Sequence, residues 1–363
     1  MSRNARDVSI AGLFALAVLY TLYFGRDFLL PVAMAVLLAL VLSPTVGALA
    51  RLRIPLPLGA LIVVGLLLAA IGMGIYRLGG PAAEWVQKAP EAMGEIEYKL
   101  RGVKASVGQV AKTADKIEKA VTPVETPAGT PKVVAAAKPS LAGRLASGTT
   151  AFLASAVATV TLLYFLLASG DLFLQKLVRV MPTLKDKKRA VEVARTIQAR
   201  MTAYLFTISL INAGVGMVVT TVLWMLGMPN PVLWGVLAGL LNFIPFLGPA
   251  TAFVVISSVA MLTFDTFGEA LRVGGAYLVI HAVEGQLLSP FLAGRRLTLN
   301  PVVIFTGMLF WTWLWGIVGA LIAVPILMAL KIVCDNVEAL SSVGELLSGR
   351  ESHPAGEASA ATR

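Results

Sequence analysis

The chain has 363 residues, of which 57% are hydrophobic and 14% are charged, and its formal net charge at pH 7 is +10. Soluble domains carry about 25% charged residues, so this composition excludes a water-soluble globular enzyme. Uncharged stretches of roughly 20 residues recur along the chain, and each is long enough to cross a bilayer as a helix. The sequence therefore predicts an all-α polytopic membrane protein that is not an enzyme.

Few residues are available for metal or redox chemistry. One cysteine, Cys334, cannot form an internal disulfide, and two histidines offer almost nothing for a zinc or haem site. No nucleotide-binding loop motif occurs in the sequence. The excess lysine and arginine residues gather in short loops, which is typical of cytoplasmic loops rather than of nucleic-acid binding. We expect no cofactor, no metal and no nucleic-acid partner.

Residues 1–78 are predicted to hold three membrane spans, at residues 8–24, 28–50 and 58–78. The second span contains Pro31 and Pro44, which should kink or break it because proline removes a backbone donor. Arg51 and Arg53 follow this span, and the positive-inside rule places them on the cytoplasmic side with the basic N-terminus.

A polar insert is predicted at residues 79–148, outside the membrane. Its first part has apolar residues at alternating spacings of four and three, which indicates a helix with a heptad seam for self-association. The seam consists of Ile96, Leu100, Val103, Val107, Val110, Ala114, Ile117 and Val121. A single amphipathic helix lying on the bilayer is the alternative. Residues 122–140, rich in Pro, Ala and Thr, are predicted to be a flexible linker.

Residues 149–203 are predicted to hold a fourth span, at 149–169, and a basic amphipathic segment. The segment at 171–203 carries 8 Lys and Arg against 3 Asp and Glu, so it should lie along the cytoplasmic surface. This arrangement leaves the insert at 79–148 on the external side, since long translocated loops escape the positive-inside rule.

Residues 204–334, the predicted transport core, contain a weak internal repeat. Ile211–Gly216 is similar to Ile280–Gly285, and Asn230-Pro231-Val232 is similar to Asn300-Pro301-Val302. Gly248 falls opposite Gly319, so the three matches keep the same order at offsets of 69, 70 and 71 residues. Each unit is one span followed by an apolar run that is too long for one straight crossing.

Both long runs are interrupted, which favours two re-entrant helical hairpins. The runs cover residues 231–264 and 301–331, and a straight helix of either length would span roughly 45–50 Å, more than the bilayer core. Loop charges, including Arg295 and Arg296, orient the two units oppositely, as in the inverted repeats of transporters. About eight membrane segments result, followed by a cytoplasmic tail at 335–363. Two plain pairs of spanning helices are the alternative.

The two interruptions are the first candidates for a substrate site, because broken helices expose backbone groups that need a protein or water partner. Hairpin tips entering from opposite faces should meet near the middle of the membrane. The candidate residues are Asn242, Pro245, Gly248 and Pro249 in the first run, and Trp313, Gly316 and Gly319 in the second. Simple kinks, and for tryptophan an interfacial position, are the structural alternatives.

Three polar side chains in predicted spans are further candidates. His281 and Glu284 lie three residues apart, on one face of a helix, where ionisable groups usually serve binding or proton coupling. Glu284 lies near the helix end, so snorkelling to the interface is the alternative. Asn212 stands opposite His281 in the repeat, with an interhelical hydrogen bond as its alternative role.

Three stretches in this half carry a resemblance to a known family. They are residues 227–249 (Gly-Met-Pro-Asn … Asn-Phe-Ile-Pro-Phe-Leu-Gly-Pro), 281–301 (His-Ala-Val-Glu-Gly-Gln … Leu-Asn-Pro) and 315–325 (Trp-Gly … Ala-Val-Pro). They resemble the signature of the AI-2E family of bacterial transporters, and the predicted layout also resembles that family from end to end.

The resemblance implies a multi-pass inner-membrane transporter that forms a homo-oligomer, with a pentamer as the suggested form. It implies export of a small hydrophilic organic solute such as autoinducer-2, a furanosyl quorum-sensing signal, by alternating access. A sodium or lithium/proton antiporter is the alternative, and an envelope scaffold or assembly factor is the second. The partners would be a small solute or cation, the lipid bilayer and further copies of the chain.

Cysteine labelling tests the predicted topology. Both termini should be accessible only from the cytoplasm, and a cysteine at position 110 should react from outside, because Arg51, Arg53 and the basic residues 185–189 favour the cytoplasmic side. Reaction of position 110 from the cytoplasm alone would overturn the scheme.

Substitution tests the predicted seam. Val103→Asp and Val110→Asp should each weaken the oligomer, because a buried unpaired charge is costly. Native mass spectrometry measures the populations, and an unchanged oligomer would place the seam against lipid or against its own subunit.

Overall fold

A computed structural model describes residues 2–115, 141–170, 184–288, 299–336 and 340–349 of the chain. These residues are helical apart from short connections and one isolated β-bridge between Leu299 and Ser348. A π-helical turn, Glu284–Leu288, follows α8 directly. The α-helices are α1 Ser2–Phe24, α2 Arg26–Arg51, α3 Leu56–Asp115, α4 Leu141–Ser169, α5 Leu184–Met225, α6 Pro231–Leu241, α7 Leu247–Thr263, α8 Phe267–Val283, α9 Pro301–Asn336 and α10 Ser341–Leu347.

The predicted all-α class is confirmed for this part of the chain. Five described helical segments are long and apolar enough to cross a membrane, which makes this a multi-pass protein. They are Arg26–Arg51, Leu56–Lys88, Phe152–Ser169, Val191–Met225 and Pro301–Asp335. Shorter apolar helices are Gly12–Phe24, Pro231–Leu241 and Leu247–Thr263. The number of eight membrane segments stays a prediction.

Two helices continue through boundaries that the sequence predicted. Helix α3 runs 60 residues, so the third span and the start of the insert form one helix without an end at residue 78. Helix α5 likewise joins the basic amphipathic segment to the next span across residues 203 and 204. The composition changes from apolar to polar along α3 and from polar to apolar along α5, and neither change ends the helix.

Several predictions concern residues that the structure describes only in part or not at all. The seam is helical from residue 96 to 114, whereas Ile117, Val121 and the linker at 122–140 lie outside the described residues. The same holds for residues 171–183, for Arg295 and Arg296, and for the tail beyond residue 349.

Helices α2, α3 and α4 pack around a shared apolar cluster. Its buried members are Ala35, Val46, Ala60, Val63, Val64, Leu163 and Leu167. Helix α2 passes through both prolines without ending, contrary to a break. Pro44 has no N–H for the carbonyl of Leu40, and the Ser43 hydroxyl donates to that oxygen at 3.1 Å instead. The polar group that proline leaves unpaired is thereby satisfied within the helix.

The first long run folds back on itself as α6 and α7. The run breaks at residues 242–246, and Gly248 then lies so close to the carbonyl oxygen of Leu241 that a Cβ at this position would collide with it. Helices α5 and α8 cover the pair, and Trp85 of α3 makes an edge contact with Trp234 of α6 at 5.5 Å. The helix that leads into the insert therefore contacts this hairpin.

The second long run, α9, also folds back on itself. Its backbone leaves helical geometry at Gly316, with φ 63° and ψ −145°. A Cβ on Gly307 would lie 2.6 Å from a Leu327 methyl carbon, although residues 20 apart in a straight helix are about 30 Å apart. The two arms, residues 301–315 and 317–336, are therefore antiparallel neighbours.

Both ends of α9 lie at the same end of this hairpin. Asn300 N donates to Leu347 O at 3.1 Å, so the residue before the first arm pairs with the chain beyond the second. Lys331 Nζ contacts Asp335 Oδ2 at 2.9 Å and donates to Ser348 Oγ at 2.9 Å. Residues 340–349 thus close the open end of the hairpin rather than forming a separate tail.

The N-terminal helices pack on the second hairpin. Trp315 Nε1 donates to the carbonyl of Leu22 at 2.9 Å, and Leu314 and Ile322 pack against Leu29 and residues 30–34 of α2. Residues 1–78 and the transport core therefore share one packed interface.

Alanine substitution tests the two folded hairpins. Gly248→Ala and Gly319→Ala should each lower the free energy of unfolding by about 1–3 kcal/mol, because the added methyl meets a backbone carbonyl of the preceding arm. Gly72→Ala is the matched control, since no atom lies within 4 Å of a Cβ at that position. Thermal unfolding of the purified protein measures all three, and tolerance of both substitutions would argue against the fold-back.

Candidate functional site

Each hairpin turns at a residue with positive φ. Phe246 has φ 61° and ψ −55°, and Gly316 follows 70 residues later with φ 63°. Leu247 N donates to Pro245 O at 2.6 Å, so residues 245–247 form a strained γ-turn. The spacing matches the offset of the sequence repeat, and the two turns are equivalent points of the two units.

The glycines after these turns play the same role in both units. Gly248 lies against the carbonyl of Leu241, and Gly319 lies against the carbonyl of Trp311. In each case the second arm begins beside the last turn of the first arm. The Gly248–Gly319 match in the repeat therefore has a structural meaning, which is the close approach of two helix backbones.

The two hairpins pack against each other at the first break. Ile244, inside the break, belongs to a buried cluster with Met308, Ala320 and Ala323 of the second hairpin. The cluster thus joins the first break to both arms of α9. The first-run candidates Asn242, Pro245, Gly248 and Pro249 and the second-run candidates Gly316 and Gly319 all lie within a few residues of cluster members or of the turns described above.

Backbone groups in the first break are mostly paired locally. The amides of Asn242, Ile244 and Gly248 donate to the carbonyls of Ala238, Leu241 and Ile244, respectively. This differs from the expectation that freed amides would bind substrate. The γ-turn and the bonds around it satisfy the backbone, so side chains must supply the polar surface here.

An asparagine pair supplies that polarity. Asn242 Nδ2 donates to Asn212 Oδ1 at 2.9 Å, which links the break to α5. Asn212 is only 1% exposed, and its own Nδ2 has no hydrogen-bond partner among the described residues. An interhelical hydrogen bond was the structural alternative for Asn212, and it is present, but it leaves one buried donor available.

A groove of about 590 Å³ lies between α5 and α6, and Asn212 of the pair lines it. Its floor is formed by glycines that bring the helices close together, and Ser209, Asn212, Thr220 and Phe243 contribute to its lining. Its volume lies within the range of small-molecule sites.

His281 and Glu284 belong to a second polar group on α8. His281 Nδ1 lies 3.7 Å from Glu284 Oε2, and the imidazole ring lies 4.6 Å from the ring of Tyr277. The Tyr277 hydroxyl in turn donates to Pro249 O at 3.3 Å. Buried His281 Nε2 has no partner among the described residues. The carboxylate, imidazole and phenol therefore form a series that ends at the first hairpin.

Sequence reasoning missed some of the residues that the structure brings together. Trp313 is 70% exposed and lies away from the packed interface, whereas Trp315, two residues later, is buried against the N-terminal helices. Tyr277 and Ile244 were also missed. Their signal was weak, because an aromatic or aliphatic residue in an apolar helix does not stand out from its neighbours.

A double-mutant cycle tests the asparagine pair. Asn212→Leu and Asn242→Leu should show a coupling free energy of about 0.6 kcal/mol, the average for interhelical hydrogen bonds in membranes. Unfolding of the two single variants and the double variant measures the coupling. Strict additivity would mean that the pair contributes nothing to helix association.

Comparison with known proteins assigns the family. The sequence profile of the AI-2E family transporter matches residues 13–339. "AI-2 transport protein TqsA" of Escherichia coli (strain K12) is 28% identical over 349 residues, covering 91% of this chain and 92% of that protein. A "Putative transport protein" of Borreliella burgdorferi is 33% identical over 202 residues, 55% of each chain. A "Putative transport protein" of Haemophilus influenzae is 40% identical over 105 residues, covering 29% of this chain and 30% of that one.

The family resemblance seen in the sequence is therefore confirmed, and with it the setting in a lipid bilayer. The relatives are named as transport proteins, which fits a non-enzymatic role. This chain is a multi-pass bacterial membrane protein that belongs to the AI-2E family of transporters.

Proposed function

We propose that the protein exports a small, uncharged, hydrophilic organic solute across the inner membrane, with autoinducer-2 as the first candidate. The observation that carries this proposal is the packing of the two hairpins at the first break, where Ile244 meets Met308, Ala320 and Ala323. Discontinuous helices that meet in this way build the substrate sites of many transporters.

The solute class follows from the side chains at the break. Residues 242–249 contain no charged side chain, and the Asn212–Asn242 pair offers amide donors and acceptors suited to hydroxyl and carbonyl groups. A full charge would find no partner in these residues, whereas a neutral hydroxylated molecule would exchange water for the amides. The name of the Escherichia coli relative supports autoinducer-2 as the first solute to test.

Movement would follow alternating access between the hairpins. Each hairpin turns on one positive-φ residue and is covered on its sides by whole helices, so it is able to rock as a unit. The proposed topology has both termini in the cytoplasm and the hairpins entering from opposite faces. We also propose a homo-oligomer, for which a pentamer is the first form to test.

A cation/proton antiporter is the second candidate, and the His281–Glu284 pair favours it. The two side chains are 12% and 14% exposed, and they connect through Tyr277 to the first hairpin. Ionisable groups in a membrane segment commonly serve ion or proton coupling. An envelope scaffold is the third candidate, and it depends on the seam predicted at residues 96–121 rather than on this pair.

Transport by the purified protein in liposomes, with and without a pH gradient, distinguishes these functions. Glu284→Gln should leave solute flux within about two-fold of wild type if the solute is neutral, but should abolish sodium or lithium exchange if the carboxylate carries the proton. Glu269→Gln is the matched control, because this carboxylate lies in the first turn of α8, where it is 40% exposed and lies 3.5 Å from Arg272.

Loss of all solute flux in Asn242→Leu, with the fold intact, is expected for the proposed site. Full activity of that variant would contradict it. A protein that transports neither solute nor cation, and whose cellular role is lost on deletion of residues 96–121, would instead be a scaffold.

A further inference from the structure

A second cavity lies away from both hairpins, between α2, α4 and the start of the apolar part of α5. Its volume is about 790 Å³, and no described lining residue belongs to α6, α7 or α9. It therefore lies apart from the solute site proposed above.

The cavity has a polar end and an apolar end. Along α5, Arg195, Gln198 and Thr202 line it at helical spacings of three and four, so they share one face, and Phe206 follows one turn later. On the opposite wall, Val36 and Leu40 of α2 line the cavity, and Leu40 belongs to the same apolar cluster as Met201 and Tyr204 of α5. The distance from Arg195 to Phe206 along α5 is roughly 16 Å at 1.5 Å per residue.

Two groups at the polar end lack partners. Arg195 is exposed at the mouth of the cavity and makes no ion pair with any described residue, and the described lining includes no aspartate or glutamate. The Thr202 hydroxyl oxygen is buried and has no hydrogen-bond partner among the described residues. A buried hydroxyl usually has a partner, so its position indicates that a ligand atom completes the site. Arg51 follows one turn beyond the lining residue Gly47 on α2.

We propose that this cavity binds an anionic phospholipid of the cytoplasmic leaflet. The phosphate lies at Arg195 with the Gln198 amide and the Thr202 hydroxyl as further donors, and an acyl chain lies against Leu40, Leu167 and Phe206. A hydrophilic solute would make no favourable contact with the apolar lining residues, whereas an amphiphile fits both the polar end and the apolar end of the cavity. Basic sites between membrane helices at the cytoplasmic side are a recurrent mode of lipid-headgroup recognition.

Lipid retention by the purified full-length protein tests this proposal without any transport measurement, so its outcome is independent of the proposed function. The protein is supplied with phosphatidylglycerol and phosphatidylcholine in equal amounts, and native mass spectrometry counts the lipids retained. Wild type should retain phosphatidylglycerol about five-fold better, the preference expected for one basic side chain near an anionic headgroup. Arg195→Gln should abolish the preference.

Arg200→Gln is the matched control, because this exposed arginine on the same helix does not line the cavity, and it should keep the preference. Ala199→Trp fills the cavity while retaining Arg195, and it should remove the bound lipid. If that variant does not fold, Thr202→Val serves in its place and should lower the retention of both lipids about three-fold, because both carry the phosphate and the variant removes one hydrogen bond of the interhelical kind. Glycerol 3-phosphate, a headgroup without chains, should not displace the lipid.

Several results would overturn the proposal. One is equal retention of the two lipids by wild type. A second is an equal loss of preference in Arg195→Gln and Arg200→Gln. Displacement by glycerol 3-phosphate would identify a site for soluble organic anions. A change of oligomer populations in Ala199→Trp without loss of lipid would identify a contact between copies of the chain.

Discussion

The folding of two apolar runs back onto themselves depends on the close approach of backbone to backbone at two glycines. Gly248 and Gly319 each lie against a carbonyl of the preceding arm, where a larger residue would separate the arms. In a membrane, hairpins cannot rely on the hydrophobic effect between helices, because lipid is as apolar as leucine, so close van der Waals contact must hold them together. The packing of Ile244 between the hairpins, and the site beside it, follows from this contact.

The polar groups at the first break show a second constraint of a lipid environment, which is that backbone amides and carbonyls must be paired. A turn that exposed unpaired amides would be costly, and the γ-turn at residues 245–247 pairs them locally at the expense of a strained Phe246. The polar capacity that remains comes from side chains, above all from the buried Nδ2 of Asn212. The polar surface at the break therefore comes from two asparagine side chains rather than from the backbone.

The features of the fold that depend on periodicity and composition were predictable from the sequence. The interruptions near residues 242–249 and 316 and the equivalence of Gly248 and Gly319 have counterparts in the structure. Helix continuity was harder to predict, because α3 passes from apolar into polar sequence straight through Gly79, Gly80 and Pro81, and α5 passes from polar into apolar sequence at residue 203 without ending. The contacts of Trp315 with Leu22 and of Tyr277 with Pro249 join residues far apart in the chain, and a single sequence carries no signal for such pairs. For the same reason, the sequence indicated Trp313 rather than Trp315 as a candidate site residue.

The proposed transport cycle requires the two hairpins to move relative to each other, and reversible cross-linking of one hairpin to the other tests this movement. Ile244→Cys and Ala320→Cys, combined with Cys334→Ala to remove the native thiol, place two thiols within one buried cluster. Joining them with a short cleavable bifunctional reagent should stop autoinducer-2 flux in liposomes, and cleaving the linker should restore it, while either single cysteine should be unaffected. Undiminished flux through fully cross-linked protein would contradict the account.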